Sequence, residues 1–463
     1  MDRQFKNETG TGTLIVIKEN ALITGLDESE VNNIKHTLTI DNPLYEKLRQ
    51  LEKPVWGIPP QLTYYTVIDD SSIEIPVGAL ALKSVHTAFD IKSHKINDLR
   101  KNNKRKIKIN FKGTLRDYQT PAIDTLKTKT VGVLQAGTGS GKTVIAINHV
   151  CKHKRKTLIL VNTIELLNQF IARLVQFTSL KEDDIGRIGS GKYIVKPVTV
   201  ALLQSMRNLT TTQYKELNSK FSQIITDEVH IISAETYYTV ITKLAAKYKF
   251  GLSATPKRPD GLTRAIFFAT GPIVHAITDE DVGENILLPE LEEVVTEYNF
   301  PLFDSSEYQT MMDDIAKNKK RNTLIISKHK GHHSKQSVFL CNRIAHAMEL
   351  KKKIPNSEVL SSKVPKKKRA EIMKKLDENK LKAVITTYSL FSTGIDLANL
   401  ERLYMCAPIR SEIKIIQSAG RIRRKGKKGK RPIIIDFVDK EVGLLRNQWY
   451  ARRRIWKQLK ILK

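Results

Sequence analysis

The chain has 463 residues, 40% of them hydrophobic, and 78 Lys and Arg against 48 Asp and Glu give a formal net charge of +30. That length predicts two to four domains with cores of their own; no run approaches the ~18 apolar residues of a membrane span, and residues 1–8 lack the apolar centre of a secretory leader, so a soluble intracellular protein without a membrane partner is expected. The charge exceeds what solubility needs and calls for a polyanion, while Cys151, Cys341 and Cys406 are too scattered for a disulfide frame or a zinc cluster.

Residues 1–112 read as an accessory domain, mixed α/β or mostly β. Its β-like runs, 11–17, 62–68 and 73–77, are separated by turn signals at 41–43, 57–60 and 69–72. The basic stretch 100–108 closes it as a linker or exposed ribbon. Over 113–275, short apolar runs at 131–134, 157–161, 198–201 and 224–226 alternate with helical stretches. That alternation predicts a parallel sheet covered by helices on both faces. Residues 276–320 read as a connector. Over 321–440 the alternation resumes, with runs at 337–340, 383–387, 403–406 and 433–437, and predicts a second α/β domain of similar size. Residues 441–463 form a basic, helical tail that interleaves Trp449, Tyr450 and Trp456 with Arg452, Arg453 and Arg454. Packing of its aromatic face on the second domain is expected; stacking on bases is the alternative.

Gln135-Ala136-Gly137-Thr138-Gly139-Ser140-Gly141-Lys142-Thr143 fits the phosphate-loop pattern G-x-x-x-x-G-K-[ST], with Ala136 in place of the first glycine. An apolar strand precedes it and an apolar helix start follows. In such a loop, backbone N–H groups converge on phosphates at a helix N-terminus. Lys142 is placed to reach the β- and γ-phosphates and Thr143 to bind magnesium. A chance glycine-rich turn is the competing explanation, and the order strand, loop, helix argues against it. Residues 186–192 also match G-x-x-x-x-G-K. Tyr193 follows, so no hydroxyl is placed for a metal, and the stretch reads as a loop without a nucleotide role.

Asp227-Glu228-Val229-His230 begins 85 positions after Lys142, at the end of an apolar run. Ligands of open parallel sheets gather at that edge. Asp227 is positioned to hold magnesium and Glu228 to orient and deprotonate an attacking water. An acidic pair after a strand is by itself an ordinary solvated loop. With the phosphate loop upstream it reads as part of a site that hydrolyses ATP with Mg2+.

At this point the chain resembles the superfamily 2 helicases with a DEVH box. Leu115-Arg116-Asp117-Tyr118-Gln119 is similar to the family's adenine-reading motif, which implies that Gln119 bonds the adenine edge. Asn162 to Gln169 and Leu202 to Ser205 resemble the motifs whose loops touch the nucleic-acid backbone. Gly251-Leu252-Ser253-Ala254-Thr255-Pro256 resembles the motif that relates the nucleotide and nucleic-acid sites. In the second domain, the stretch from Ser337 to Asn342, the stretch from Thr386 to Asp396, with Gly394 and Asp396 as nucleotide contacts, and Gln417-Ser418-Ala419-Gly420-Arg421-Ile422-Arg423-Arg424 resemble motifs IV, V and VI.

The resemblance covers roughly 113–440 and implies two tandem RecA-like domains. It also implies that Gln417, Arg421 and Arg424 act on the nucleotide. Lys257 to Gly261, Gly271 to Val274 and Leu288 to Leu291 carry a narrower likeness to the XPB and phage UvsW branch and to helicases of large DNA viruses. Nucleic acid, DNA rather than RNA, is the implied partner, with transcription, repair or replication proteins as further ones. The expected function is an ATP-dependent helicase or translocase. A duplex translocase that releases transcripts without unwinding is the alternative, and a non-enzymatic nucleic-acid-binding protein stands behind both. Eight of the eleven residues 421–431 are Lys or Arg. Arg421 and Arg424 are assigned to the nucleotide by motif spacing, the later ones to a solvated or polyanion-facing loop. Pro365-Lys366-Lys367-Lys368-Arg369 resembles a nuclear-import signal, but a helix start is the expected reading.

Overall fold

Alternating burial marks the first strands of the chain. In Leu14–Ile17 (β1) and Asn20–Thr24 (β2) every second side chain is buried, the period-two pattern of a sheet with one covered face. The computed structural model describes residues 13–100, 106–137, 139–230, 234–255, 258, 260–283, 286–301, 307–332, 335–394, 397, 399–423 and 431–462. It forms one unit built of Met1–Gly137 with Gly141–Thr278, and another built on Asp279–Lys463.

The accessory part of the first unit continues with Thr39–Asp41 (β3), Gln61–Thr63 (β4), Thr66–Asp69 (β5), Ser72–Pro76 (β6) and Lys95–Asp98 (β7). One sheet has the order β5-β6-β2-β1-β7, and β3 pairs with β4 separately. The expected single run over 62–68 is therefore two strands in two sheets. The break falls at Tyr64, which leaves the strand line to lie edge-on to Tyr238 at 5.0 Å and against Phe268 at 5.3 Å. Ile15, Ile23, Ile73 and Phe89 share one apolar core with Val131, Ala265 and Phe268. Backbones also meet directly there: a Cβ on Gly78 would lie 2.5 Å from the Gly271 nitrogen, a contact only glycine permits. Arg100 departs from the expected exposed ribbon. It is buried, pairs with Asp98 at 2.8 Å and donates to the Lys247 carbonyl at 3.1 Å. Residues 101–105 lie outside the described residues.

The larger sheet of this unit contains Val131–Ala136 (β8), Thr157–Val161 (β9), Ile185–Gly189 (β10), Lys192–Ile194 (β11), Val198–Leu202 (β12), Gln223–Thr226 (β13), Tyr248–Ser253 (β14) and Ile273–Ile277 (β15). Its order is β11-β10-β12-β9-β13-β14-β8-β15, parallel except for the β10–β11 hairpin. β9 and β12 are buried at every residue, as strands covered on both faces must be. The stretch 186–192, expected as a loop, is instead strand β10 and the turn of that hairpin. Its glycines admit close packing: a Cβ on Gly186 would meet the Thr199 hydroxyl at 2.2 Å.

The second unit carries Glu290–Val295 (β16), Ser337–Cys341 (β17), Ser357–Leu360 (β18), Ala383–Thr387 (β19), Arg402–Met405 (β20) and Ile433–Val438 (β21). The order is β16-β21-β20-β17-β19-β18, all parallel. β16 lies in the stretch expected as a connector. Its sequence, Glu-Leu-Glu-Glu-Val-Val, is polar because it is an edge strand, yet it registers with β21 from Glu290 opposite Ile433 to Val295 opposite Val438. The chain closes with the helix Gly443–Gln458, which packs on the second domain as expected except at Tyr450, whose ring stays exposed. Trp456 is fully buried, Arg452 pairs with buried Asp436 at 2.8 Å, and the Trp449 indole donates to Glu293 at 2.6 Å. Pro365 likewise precedes a helix, Lys366–Asp377. The architecture is α/β, with parallel-sheet, RecA-like domains. No described helix is long and apolar enough to cross a membrane.

Candidate nucleotide site

β8 ends at Ala136 and the helix Lys142–His153 begins just beyond it, with Gly141 at its N-cap. Gly139 and Gly141 carry φ angles of 95° and 84°, left-handed values that cost an L side chain roughly 1–2 kcal/mol. Space excludes a side chain at 141 as well, since a Cβ there would sit 2.4 Å from Nε2 of Gln119. Gln119 opens the helix Gln119–Thr128, is buried, and accepts from the Arg116 backbone N–H at 3.0 Å through Oε1. That bond turns its amide nitrogen to the loop, and the adenine-motif glutamine and the phosphate loop are thus neighbours. Ser140 is buried and Thr143 half-buried in the first helical turn. Thr138 lies outside the described residues.

β13 runs out at Thr226, and Asp227 still donates along the ladder to the Leu160 carbonyl at 2.9 Å. Glu228 then takes a φ of +50°, a strained value for a side-chain-bearing residue of the kind that collects at functional sites. The turn is fixed by donation from Glu228 N–H to Asp227 Oδ1 at 3.1 Å and from Val229 N–H to the Leu252 carbonyl at 3.1 Å. It brings the two motifs together: Lys142 Nζ lies 3.4 Å from Glu228 Oε1 and 3.0 Å from the Ala136 carbonyl. Burial, with the adjoining Glu228 carboxylate, pushes the Asp227 carboxyl up from its ordinary value, and Lys142 opposes that shift. A buried carboxylate beside a second one fits a divalent cation, whose charge offsets their repulsion. Asp227 and Thr143 are the residues that could hold it.

His230 is buried and shares a 2.7 Å hydrogen bond between Nδ1 and the Ser253 hydroxyl at the end of β14, with Glu228 Oε2 3.4 Å from the same nitrogen. Burial holds its pKa below the ordinary value, although Glu228 pulls the other way. Arg258 donates to the His230 carbonyl at 3.2 Å and pairs with Asp260 at 2.9 Å through Nε. Sequence reasoning quoted Arg258 for branch likeness and missed this structural part. The Arg-x-Asp spacing was the available signal.

The second unit holds Gln417 and Arg421 on the helix Glu412–Ile422, both buried, with the Arg421 guanidinium 5.5 Å from the Phe391 ring centre. Gly394 ends the helix Tyr388–Gly394. Arg423 pairs with Asp279 at 2.8 Å. Asp396, Arg424, Lys425, Lys427, Lys428 and Lys430 lie outside the described residues.

Two parallel α/β domains, one with a phosphate loop facing a strand-tip carboxylate pair, define a class built to take a nucleoside triphosphate. Residues 112–258 match the family model of the type III restriction enzyme res subunit, and residues 307–426 match the helicase conserved C-terminal domain. The chain belongs to the superfamily 2 ATP-dependent helicases. It is 29% identical over 366 residues to "Putative ATP-dependent RNA helicase L396" of Acanthamoeba polyphaga mimivirus, covering 76% of this chain and 69% of that protein. To the DNA 3'-5' translocase XPB2 of Sulfurisphaera tokodaii it is 25% identical over 370 residues, covering 70% and 82%. Among solved structures, S. cerevisiae Dbp5 bound to RNA and ADP BeF3 superposes with a TM-score of 0.57 at 14% identity, covering 76% of this chain and 89% of that one; that likeness bears on the fold alone.

Proposed function

We propose that this protein couples ATP hydrolysis to translocation along nucleic acid, DNA in the first instance, and to separation of its strands. The observation that carries the reading is the Lys142–Glu228 contact, which joins the phosphate loop to the strand-tip carboxylates. In this account the backbone of residues 136–143 and Lys142 hold the phosphates, and Gln119 bonds the adenine. Thr143 and Asp227 hold Mg2+, which when bound neutralises phosphate charge. Glu228 orients the water and takes its proton. Gln417, Arg421 and Arg424 of the second domain, with Gly394 and Asp396, complete the site when ATP is bound. An arginine so placed is worth about 10³–10⁵ in rate in comparable systems. Closure then depends on the γ-phosphate, and release on its loss.

The choice of DNA is supported by the XPB2 relative, whose name specifies DNA, whereas the mimivirus relative's name specifies RNA. The net charge of +30 supports either polyanion. One panel tests the reading: ATP turnover and strand displacement on single-stranded DNA, duplex DNA, forked DNA and RNA. Stimulation by forked or single-stranded DNA with displacement is expected. Stimulation by duplex alone without displacement identifies a duplex translocase, and no stimulation by any of the four contradicts the motor.

A further inference from the structure

The first unit has a cleft of about 650 Å3 lined by Lys106, Lys108, Lys156 and Lys196, with Asp184 on its wall. It opens where β9 and β12 begin, at Thr157 and Val198. The phosphate loop and Asp227 follow the opposite ends of their strands. Parallel strands of this length, at ~3.3 Å per residue, put about 15–20 Å between the two edges. The cleft is therefore separate from the nucleotide site, and from residues 162–169 and 202–205, which also follow strand ends.

The lysines stand on fixed backbone. Ile107 and Ile109 are buried, so the extended segment turns Lys106 and Lys108 outward. Ile107 donates to the Lys154 carbonyl at 2.9 Å, Asn110 to the Ser179 hydroxyl at 3.1 Å, and Lys112 to the Phe177 carbonyl at 2.8 Å. Thr157 N–H donates to the Pro197 carbonyl at 2.9 Å, which holds the Lys156 and Lys196 positions side by side. Among the described residues, none of the four ammonium groups has an ion pair or side-chain hydrogen bond with protein, whereas Asp184 accepts from the Lys181 N–H at 2.9 Å. Four like charges around one hollow repel one another until anions enter it.

We propose that this cleft grips the phosphate backbone of nucleic acid, as a hold additional to the track beside the nucleotide site. The inference rests on the motor reading above. Oxyanions spaced along a strand match ammonium groups spaced along a cleft, and the contact is to phosphate, so it carries no sequence preference.

The test uses the full chain and labelled forked DNA, titrated by anisotropy over a series of KCl concentrations. One variant combines Lys106→Gln, Lys108→Gln, Lys156→Gln and Lys196→Gln. A control removes the same charge from the exposed lysines Lys18, Lys83, Lys92 and Lys95 of the accessory domain. Each phosphate contact contributes about 0.9 to the slope of log affinity against log salt. The cleft variant should lose about 2–4 from that slope and the control less than about 1, with ATP turnover in the absence of DNA unchanged in both. Equal losses, or none, overturn the inference. So does protection of the wild type by inorganic tripolyphosphate in thermal melts when the cleft variant keeps the wild-type slope, since the cleft then takes a small polyphosphate. If the wild type binds neither forked DNA nor RNA, the motor reading fails; if it binds and the cleft variant matches it, only this inference does.

Discussion

The Ser253 hydroxyl lies 2.7 Å from Nδ1 of His230, both buried, so the end of β14 is tied to the strand-tip turn that carries Asp227 and Glu228. This side-chain hydrogen bond links the acidic motif to the Gly251–Pro256 motif, beside the backbone donation from Val229 N–H to the Leu252 carbonyl at 3.1 Å. Ser253→Ala removes that link and leaves Lys142, Asp227 and Glu228 in place. ATP turnover without nucleic acid should stay within about twofold, while stimulation by nucleic acid falls about tenfold, the worth of ~1.4 kcal/mol. Steady-state turnover with and without saturating DNA checks it, and an equal loss in both would assign Ser253 to the nucleotide site alone.

Gly141→Ala places a methyl group where the Gln119 amide now lies and forces a left-handed φ on alanine. Affinity for a fluorescent ATP analogue should fall by about tenfold or more, in proportion to the ~1–2 kcal/mol of backbone strain plus displacement of Gln119. Binding at wild-type strength would show that the loop is not the phosphate cradle.

Lys249, on β14, is buried and donates to the carbonyls of Ile241 at 3.2 Å and Glu19 at 3.4 Å. Burial, aided by Arg100 and opposed by Glu19, lowers its pKa to about 7. An unfolded lysine titrates near ~10.4, so between those values the unfolded chain binds more protons and stability rises with pH. The wild type should therefore gain stability relative to Lys249→Met as pH rises from 7 towards 10, read from urea unfolding midpoints. Parallel profiles for the two proteins would contradict a depressed lysine.

Arg452 and Asp436 form a buried pair in the second unit at 2.8 Å. Arg452→Met strands a buried carboxylate and should destabilise that unit by about 3–5 kcal/mol. The double variant Arg452→Met, Asp436→Leu should recover most of the loss. Thermal melts of the three proteins decide, and a single variant as stable as wild type would show the pair to be idle.

The α/β class of the fold and the local pattern of the candidate site were both legible in the sequence. Phosphate cradling needs glycines, a lysine and a hydroxyl at fixed spacing, so residues 135–143 declare their chemistry locally, and Asp227-Glu228 follows a run whose burial on both faces is written in its composition. Long-range features were hidden. β16 is polar because it is an edge, and only its register with β21 makes it a strand. Tyr64 breaks an apparently continuous run because its partners, Tyr238 and Phe268, are far away in sequence. Gly78 looks like any loop glycine until the Gly271 backbone is found against it. Ile107, inside the stretch 100–108 whose charge reads as a linker, and Ile109 just after it are buried, and that anchoring turns Lys106 and Lys108 into one side of a cleft.

Glu228 is the group proposed to take the proton of the attacking water. Glu228→Gln keeps the size of the side chain and removes the base. ATP turnover at saturating DNA is the direct measurement, with nucleotide binding as its control. The variant should bind ATP about as tightly as wild type and turn it over at least about 100-fold more slowly. Turnover near the wild-type rate would contradict the assignment, and with it the reading of this strand tip as the engine of the protein.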